Sequence, residues 1–132
     1  MPISDLPILT MLRTKMQWHQ ERQRLLAENV ANADTANFRP RDLTALQFGD
    51  TGALARSGGP VGLATTQSNH IAASNSSQFG DRRGGYDVRP TGNAVNLEDE
   101  MMKVAANQMD FQAATSLYSR SMGLIRTALG KR

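Results

Sequence analysis

The chain has 132 residues, no cysteine, two histidines and a formal charge of +3, which suits a single domain 1–132 and excludes a disulfide framework or a thiolate metal site. A hydrophobic fraction of 39%, aromatics at only 5% and a mean hydropathy of −0.44 leave little material for a thick core, so partner subunits are expected to supply part of the burial. Charge is dispersed: in the first 34 residues Arg13, Lys15, Arg22 and Arg24 balance Asp5, Glu21, Glu28 and Asp34, and the concentrated basic face that a nucleic-acid binder needs is missing.

The opening MPISDLPILTMLRTK has neither the basic start nor the apolar run of a cleaved signal peptide. No stretch reaches the apolar length of a membrane span. The expectation from these features is a soluble chain without a cleaved leader.

The first element, within a segment spanning residues 1–35, is a helix from about residue 7 to 33. Leu12, Met16, His19, Gln23, Leu26, Val30 and Ala33 recur with alternating steps of four and three, the rhythm of a coiled-coil seam. Ile8, Met11, Trp18 and Leu25 widen its apolar face. Ser4 or Asp5 is expected to cap the start, with Pro7 tolerated in the first turn. The helix runs directly into ENVANADTANF, residues 28–38, a loop rich in asparagine whose side chains stabilise turns by bonding nearby backbone.

The middle segment, residues 36–94, is different in composition. Residues 49–93 hold 9 of the 11 glycines and runs such as RSGGPVG and SNHIAASNSSQFGDRRGG. This favours a flexible Gly/Ser-rich stretch with at most short strands, VGLATT being one weak strand candidate.

The last segment, 95–132, contains a second helix from about 96 to 129. Its seam reads Leu97, Met101, Val104, Gln108, Phe111, Thr115, Tyr118, Met122, Ile125 and Leu129. Asn96 is a good N-cap. Glu98, Asp99 and Glu100 suit the positive end of the macrodipole, Arg126, Lys131 and Arg132 suit the negative end, and Gly130 suits the stop. The fold class expected is therefore mainly α, with the N- and C-terminal helices packed as an antiparallel coiled coil. Gln23 and Gln108 are the seam polar residues available to set register. A second apolar stripe on the later helix, Met102, Ala106, Met109, Ala113, Leu117, Leu124 and Ala128, points to assembly, because the middle segment has few large apolar side chains with which to cover it; closure onto the middle segment is the alternative.

No constellation supports catalysis. His19 and His70 are too few and too far apart for a metal motif, and His19 falls in the seam, where packing is the simpler role. Asp99 and Glu100 are adjacent but have no pocket, no Ser/His/Asp logic is present, and GDRRGG lacks the lysine and following helix of a phosphate loop. The arginines of FRPRD are not clustered with aromatics as a nucleic-acid surface requires. No cofactor, small-molecule substrate or nucleic acid is expected.

LLAENVANADTANFRPRDL resembles the N-terminal signature of bacterial flagellar rod, hook and hook-associated axial proteins, in which a helix ends in an N-x-A-N-x-x-T loop leading to an aromatic residue. The matching residues are Asn29, Ala31, Asn32, Thr35 and Phe38. GNAVNLEDEMMKVAANQMDFQAATSLYS is similar to the C-terminal helix of the proximal-rod members. One departure is Ala36-Asn37, where the family usually has Pro-Gly; asparagine is the non-glycine residue that best tolerates positive φ, so the turn is expected to survive. The resemblance implies a non-enzymatic subunit that polymerises helically into the basal-body rod and transmits torque in motility. It further implies export through the flagellar type III apparatus, a periplasmic location, and contacts with itself, other rod proteins, the rod–MS-ring adaptor and the MS ring. The five signature residues are then expected to lie at a subunit interface. A coiled-coil adaptor or secretion chaperone that binds a partner helix is the alternative.

Overall fold

The computed structural model describes residues 6–49, 67 and 79–130. Four elements follow in order: α1 (Pro7–Ala31), β1 (Arg41–Leu43), β2 (Asp81–Arg83) and α2 (Leu97–Ala128). The chain is mainly helical. Most of the glycine- and serine-rich middle, including VGLATT, lies outside the described residues, as do Ser4 and Asp5.

Proline opens α1 because its missing N–H falls where a helix has no carbonyl to offer it. Leu6 occupies the cap position without a side-chain cap bond, and its carbonyl receives Leu9 N–H and Thr10 N–H. At the other end Asn32 N–H turns back onto Glu28 O and Asn29 O. Asn96 caps α2 as its sequence position suggests, accepting from Glu98 N–H and Asp99 N–H. Three acids fill the first turn of α2 and Arg126 the last, each at the pole that favours it. The helix closes at Gly130, with φ +68. Its 32 residues span about 48 Å at 1.5 Å per residue.

The helices run antiparallel along each other. Met16 Sδ meets the Thr115 hydroxyl, His19 meets Asn107 and Asn29 meets Glu100, so partners descend along α2 as they ascend along α1. β1 and β2 pair antiparallel, Arg41 with Arg83, Asp42 with Arg82 and Leu43 with Asp81. The pair lies against α1, where Trp18, Leu25 and Leu43 cluster with Leu46 and Phe79. Trp18 Nε1 donates to Thr44 O, which ties the chain leaving β1 to the helix. Leu9, Leu26, Val95 and Ala114 are the other large or close-packed buried residues.

The face that α2 turns toward α1 is rotated by about one residue from the apolar seam of the sequence. Glu100, Asn107 and Ala114 are its buried members. Val104, Phe111, Tyr118, Met122 and Ile125 are partly buried, while Leu97, Met101, Gln108, Thr115 and Leu129 are exposed. The cause is chemical. The inward positions carry polar side chains that find partners on α1, so the line of burial does not coincide with the line of hydrophobicity. On α1, Leu26 is buried and Leu12, Met16 and Val30 are partly so.

Candidate functional site

The asparagine loop is built inward from the last turn of α1. Asn29 is 1% exposed. Its Nδ2 donates to Arg41 O and to Glu100 Oε2, each at 2.8 Å, and its Oδ1 accepts from Arg41 N–H at 2.9 Å. One amide thus pairs with the backbone of β1 as a neighbouring strand would and also fastens α2 to α1. Asn32 is partly exposed; its Nδ2 donates to Glu28 O at 2.8 Å, and its Oδ1 accepts from the Thr35 hydroxyl at 3.1 Å. These are helix-end and turn bonds, the local chemistry for which asparagine is favoured at such positions.

The loop is closed from the far side by Asn93, also 1% exposed. Its Nδ2 donates to Asn32 O at 2.9 Å and to Thr35 O at 2.6 Å, and its Oδ1 accepts from Val95 N–H. Ala94 N–H donates to Phe38 O, and Asn37 N–H donates to Thr91 O. Asn37 has φ +59, the conformation for which asparagine is the best substitute for glycine. Gly92, at φ +79, leaves no room for a Cβ, which would meet Asn37 Oδ1. The turn therefore survives without Pro-Gly because two segments far apart in the chain interlock there.

The signature residues do not gather on one surface. Asn29 is buried, Asn32 and Phe38 are partly buried, and Ala31 and Thr35 are exposed. The polar atoms of the Asn29 side chain all bond within the chain. The outward surface of the loop is made by Ala31, Asp34, Thr35, Ala36 and Asn37.

Two polar clusters near the loop hold the elements together. In the first, Glu100, 2% exposed, accepts from Asn29 and from Lys103 Nζ at 2.6 Å. Arg41 reaches Glu28 at 2.7 Å and Asp81 at 3.5 Å. In the second, His19 Nδ1 lies 2.7 Å from Asn107 Oδ1, and Asn107 Nδ2 donates to His19 O and to Gln23 Oε1. Asn107 Oδ1 can only accept, so Nδ1 carries the hydrogen. His19 Nε2 is buried with no hydrogen-bond partner among the described residues. Gln23 is therefore part of the register-setting contact, whereas Gln108 points to solvent.

Arg22 grips Asp42 in a two-point pair at 2.8 and 2.9 Å and lies over Trp18, 5.3 Å from the ring centroid. Burial works against ionisation of Asp42, but the hydrogen bonds and charge of Arg22 outweigh it, and the carboxyl is held below its ordinary value. The same hydrogen bonds raise the Arg22 guanidinium further.

Sequence reasoning gave Glu100 only the role of a first-turn acid at the helix dipole and passed over Asn107, Asn93 and the Arg22–Asp42 pair. A signal for two of these existed. Glu100, Asn107 and Ala114 recur every seven residues, one position before the apolar set, and a heptad of polar or small residues beside an apolar one marks a seam with buried hydrogen bonds. Among the described residues no group of three His, Cys, Asp or Glu side chains is placed to hold a metal ion, and no helix is long and apolar enough to cross a membrane.

These features define a helical hairpin whose first helix ends in an asparagine corner, locked by the segment that leads into the second. No protein-family model matches the chain. A flagellar basal body rod protein FlgB of Cereibacter sphaeroides is 34% identical over 113 residues, covering 83% of this chain and 84% of that protein. The FlgB of Aeromonas hydrophila is 28% identical over 115 residues, covering 84% of each. The chain belongs to the flagellar basal body rod protein FlgB family.

Proposed function

We propose that the chain is a structural subunit of the flagellar basal-body rod, polymerising helically with other rod proteins into the drive shaft that carries motor torque. The observation that carries this reading is the identity of 34% over 113 residues with a basal body rod protein, a span that includes most of the chain. The helix pair then serves as a short antiparallel coiled coil, stiffened by the Asn29–Glu100 and His19–Asn107 contacts. The outward residues of the asparagine loop and the exposed apolar face of α2 supply subunit contacts. Head-to-tail contacts that do not close into a ring generate such a filament. The neighbours are other rod proteins, the rod–MS-ring adaptor and the MS ring. The subunit reaches the periplasm through the flagellar type III apparatus, and its role is mechanical, not enzymatic. Deletion of the gene, with complementation, tests this. Loss of swimming and basal bodies without a rod in electron micrographs are expected. A swimming deletion strain with intact rods would overturn the reading.

A further inference from the structure

The β1–β2 ladder sets Arg41 directly opposite Arg83. Two cations then share one face of the pair, which costs stability unless carboxylates answer both. Arg41 is answered twice, by Glu28 at 2.7 Å and by Asp81 at 3.5 Å. Arg83 is exposed and has no ion pair or hydrogen bond from its side chain among the described residues. Arg39, two residues before Arg41 and equally exposed, has none either. Arg39 and Arg83 line one open cleft with Gly84, Gly85 and Tyr86. The backbone there is held in place. Gly84 N–H donates to Pro40 O at 2.9 Å, and Gly85, at φ +107, lies so close to Ala94 and Pro40 that a Cβ would collide with them. The N–H groups of Gly85 and Tyr86 have no acceptor among the described residues.

We propose that this cleft receives the carboxylate side chains of an acidic segment on an adjacent protein chain. Guanidinium groups match carboxylates with two parallel N–H···O bonds, and the two free N–H groups add donors of the same kind. The chain itself is a poor source of the acid. Between residues 50 and 78 the single carboxylate is Asp50, which shares that stretch with Arg56. Asp87, close by in sequence, is within ion-pair distance of neither arginine. A polyphosphate or nucleic acid is disfavoured, because Asp81 and Asp87 stand among these arginines. Exposed Tyr86 and Val88 offer a peptide apolar contact beside the charges.

Ion pairs open to water contribute little, so the cleft does not recruit its partner by affinity. It acts on alignment: once the neighbour's surface excludes water, a misplaced neighbour leaves both guanidinium groups unanswered. The proposal rests on the subunit having a fixed neighbour, as the rod reading supplies.

The test is made in cells whose sole copy of the chain carries the photoreactive residue p-benzoylphenylalanine in place of Tyr86. After irradiation, the adduct is sequenced by mass spectrometry, and the amount of subunit in purified basal bodies is read by immunoblot. The expected adduct is a protein segment rich in Asp and Glu. Arg39→Glu with Arg83→Glu is expected to lower its yield about tenfold, and Arg39→Gln with Arg83→Gln to lower it less. Arg13→Glu, a charge reversal at an exposed site on α1, is expected to leave it unchanged. Replacing the acids of the adduct segment by arginine is expected to restore the yield of the doubly reversed variant, which a misfolded chain would not allow. An adduct on a neutral or basic segment, a yield indifferent to charge, a loss that the swap does not restore, or basal bodies that hold the subunit without any protein adduct would each overturn the proposal. A charge-dependent adduct on an acidic segment in cells whose basal bodies lack the subunit would uphold the cleft and overturn the rod reading instead.

Discussion

Asn29 is the side chain on which three elements converge, and its replacement by alanine tests whether the loop is a structural lock. The change removes three hydrogen bonds, two to Arg41 backbone and one to the Glu100 carboxylate. A neutral bond is worth about 1 kcal/mol and one to a charged group about 2 kcal/mol, which sums to roughly 4 kcal/mol. Bonds in one network are not independent, and the expected loss is about 3 kcal/mol. Asn29→Asp is the sharper probe. It keeps the shape, but it replaces the Nδ2 donors with a carboxylate beside the buried Glu100 carboxylate. Like charges at that separation repel strongly where water is excluded, so this variant is expected to be less stable than the alanine one. The measurement is urea titration of each variant by far-UV circular dichroism at neutral pH. A loss under about 1 kcal/mol for Asn29→Ala, or an aspartate variant as stable as the alanine one, would refute the lock.

Three other outcomes follow from the same geometry. Leu26 is fully buried, and Leu26→Ala should cost about 2–5 kcal/mol in the same titration. Gly92→Ala should cost about 1–2 kcal/mol for its positive φ and more because the new Cβ meets Asn37; a neutral effect would mean that the turn at Asn37 rearranges freely. The Asp42 carboxyl is held below its ordinary value in the folded chain, so it contributes stability that is present above the unfolded value of about 4 and is lost as pH falls through the folded value. The urea midpoint should accordingly drop below about pH 4, and Asp42→Asn should flatten that drop while lowering stability at neutral pH.

What the sequence disclosed and what it hid divide along chemical lines. Helix positions were legible because they rest on local signals. Asn96 at the cap, acids in the first turn of α2, Pro7 at the start of α1 and Gly130 at the stop all act within a few residues of themselves. The tolerance of Asn37 for positive φ was legible for the same reason. The partners of the loop were not, because they are distant in the chain. Nothing in ENVANADTANF indicates that Asn93 closes it or that Glu100 lies beneath it; 58 to 71 residues separate the bonded pairs. The strands RDL and DRR were equally obscure, since neither alternates polar and apolar residues, and their pairing is sustained by Trp18, Leu25 and Leu43 packing beside them.

The rotation of the α2 seam carries the larger lesson about this molecule. An apolar heptad would have allowed the helices to slide by a turn at little cost, since one methionine or leucine replaces another with small loss. The contacts made instead are specific to one register. Asn107 must find the carbonyl of His19 and the amide of Gln23, and Glu100 must find Asn29. A slip of one turn would strand each of these groups away from water, at about 1–3 kcal/mol apiece or more for the charge. Polar pairs inside a seam add little net stability but penalise every wrong alignment. A lean chain cannot hold a long hairpin by bulk burial, and this one holds its alignment by making the alternatives costly. The same arrangement leaves methionine and leucine on the outer face of α2, where they are free to bury against another subunit.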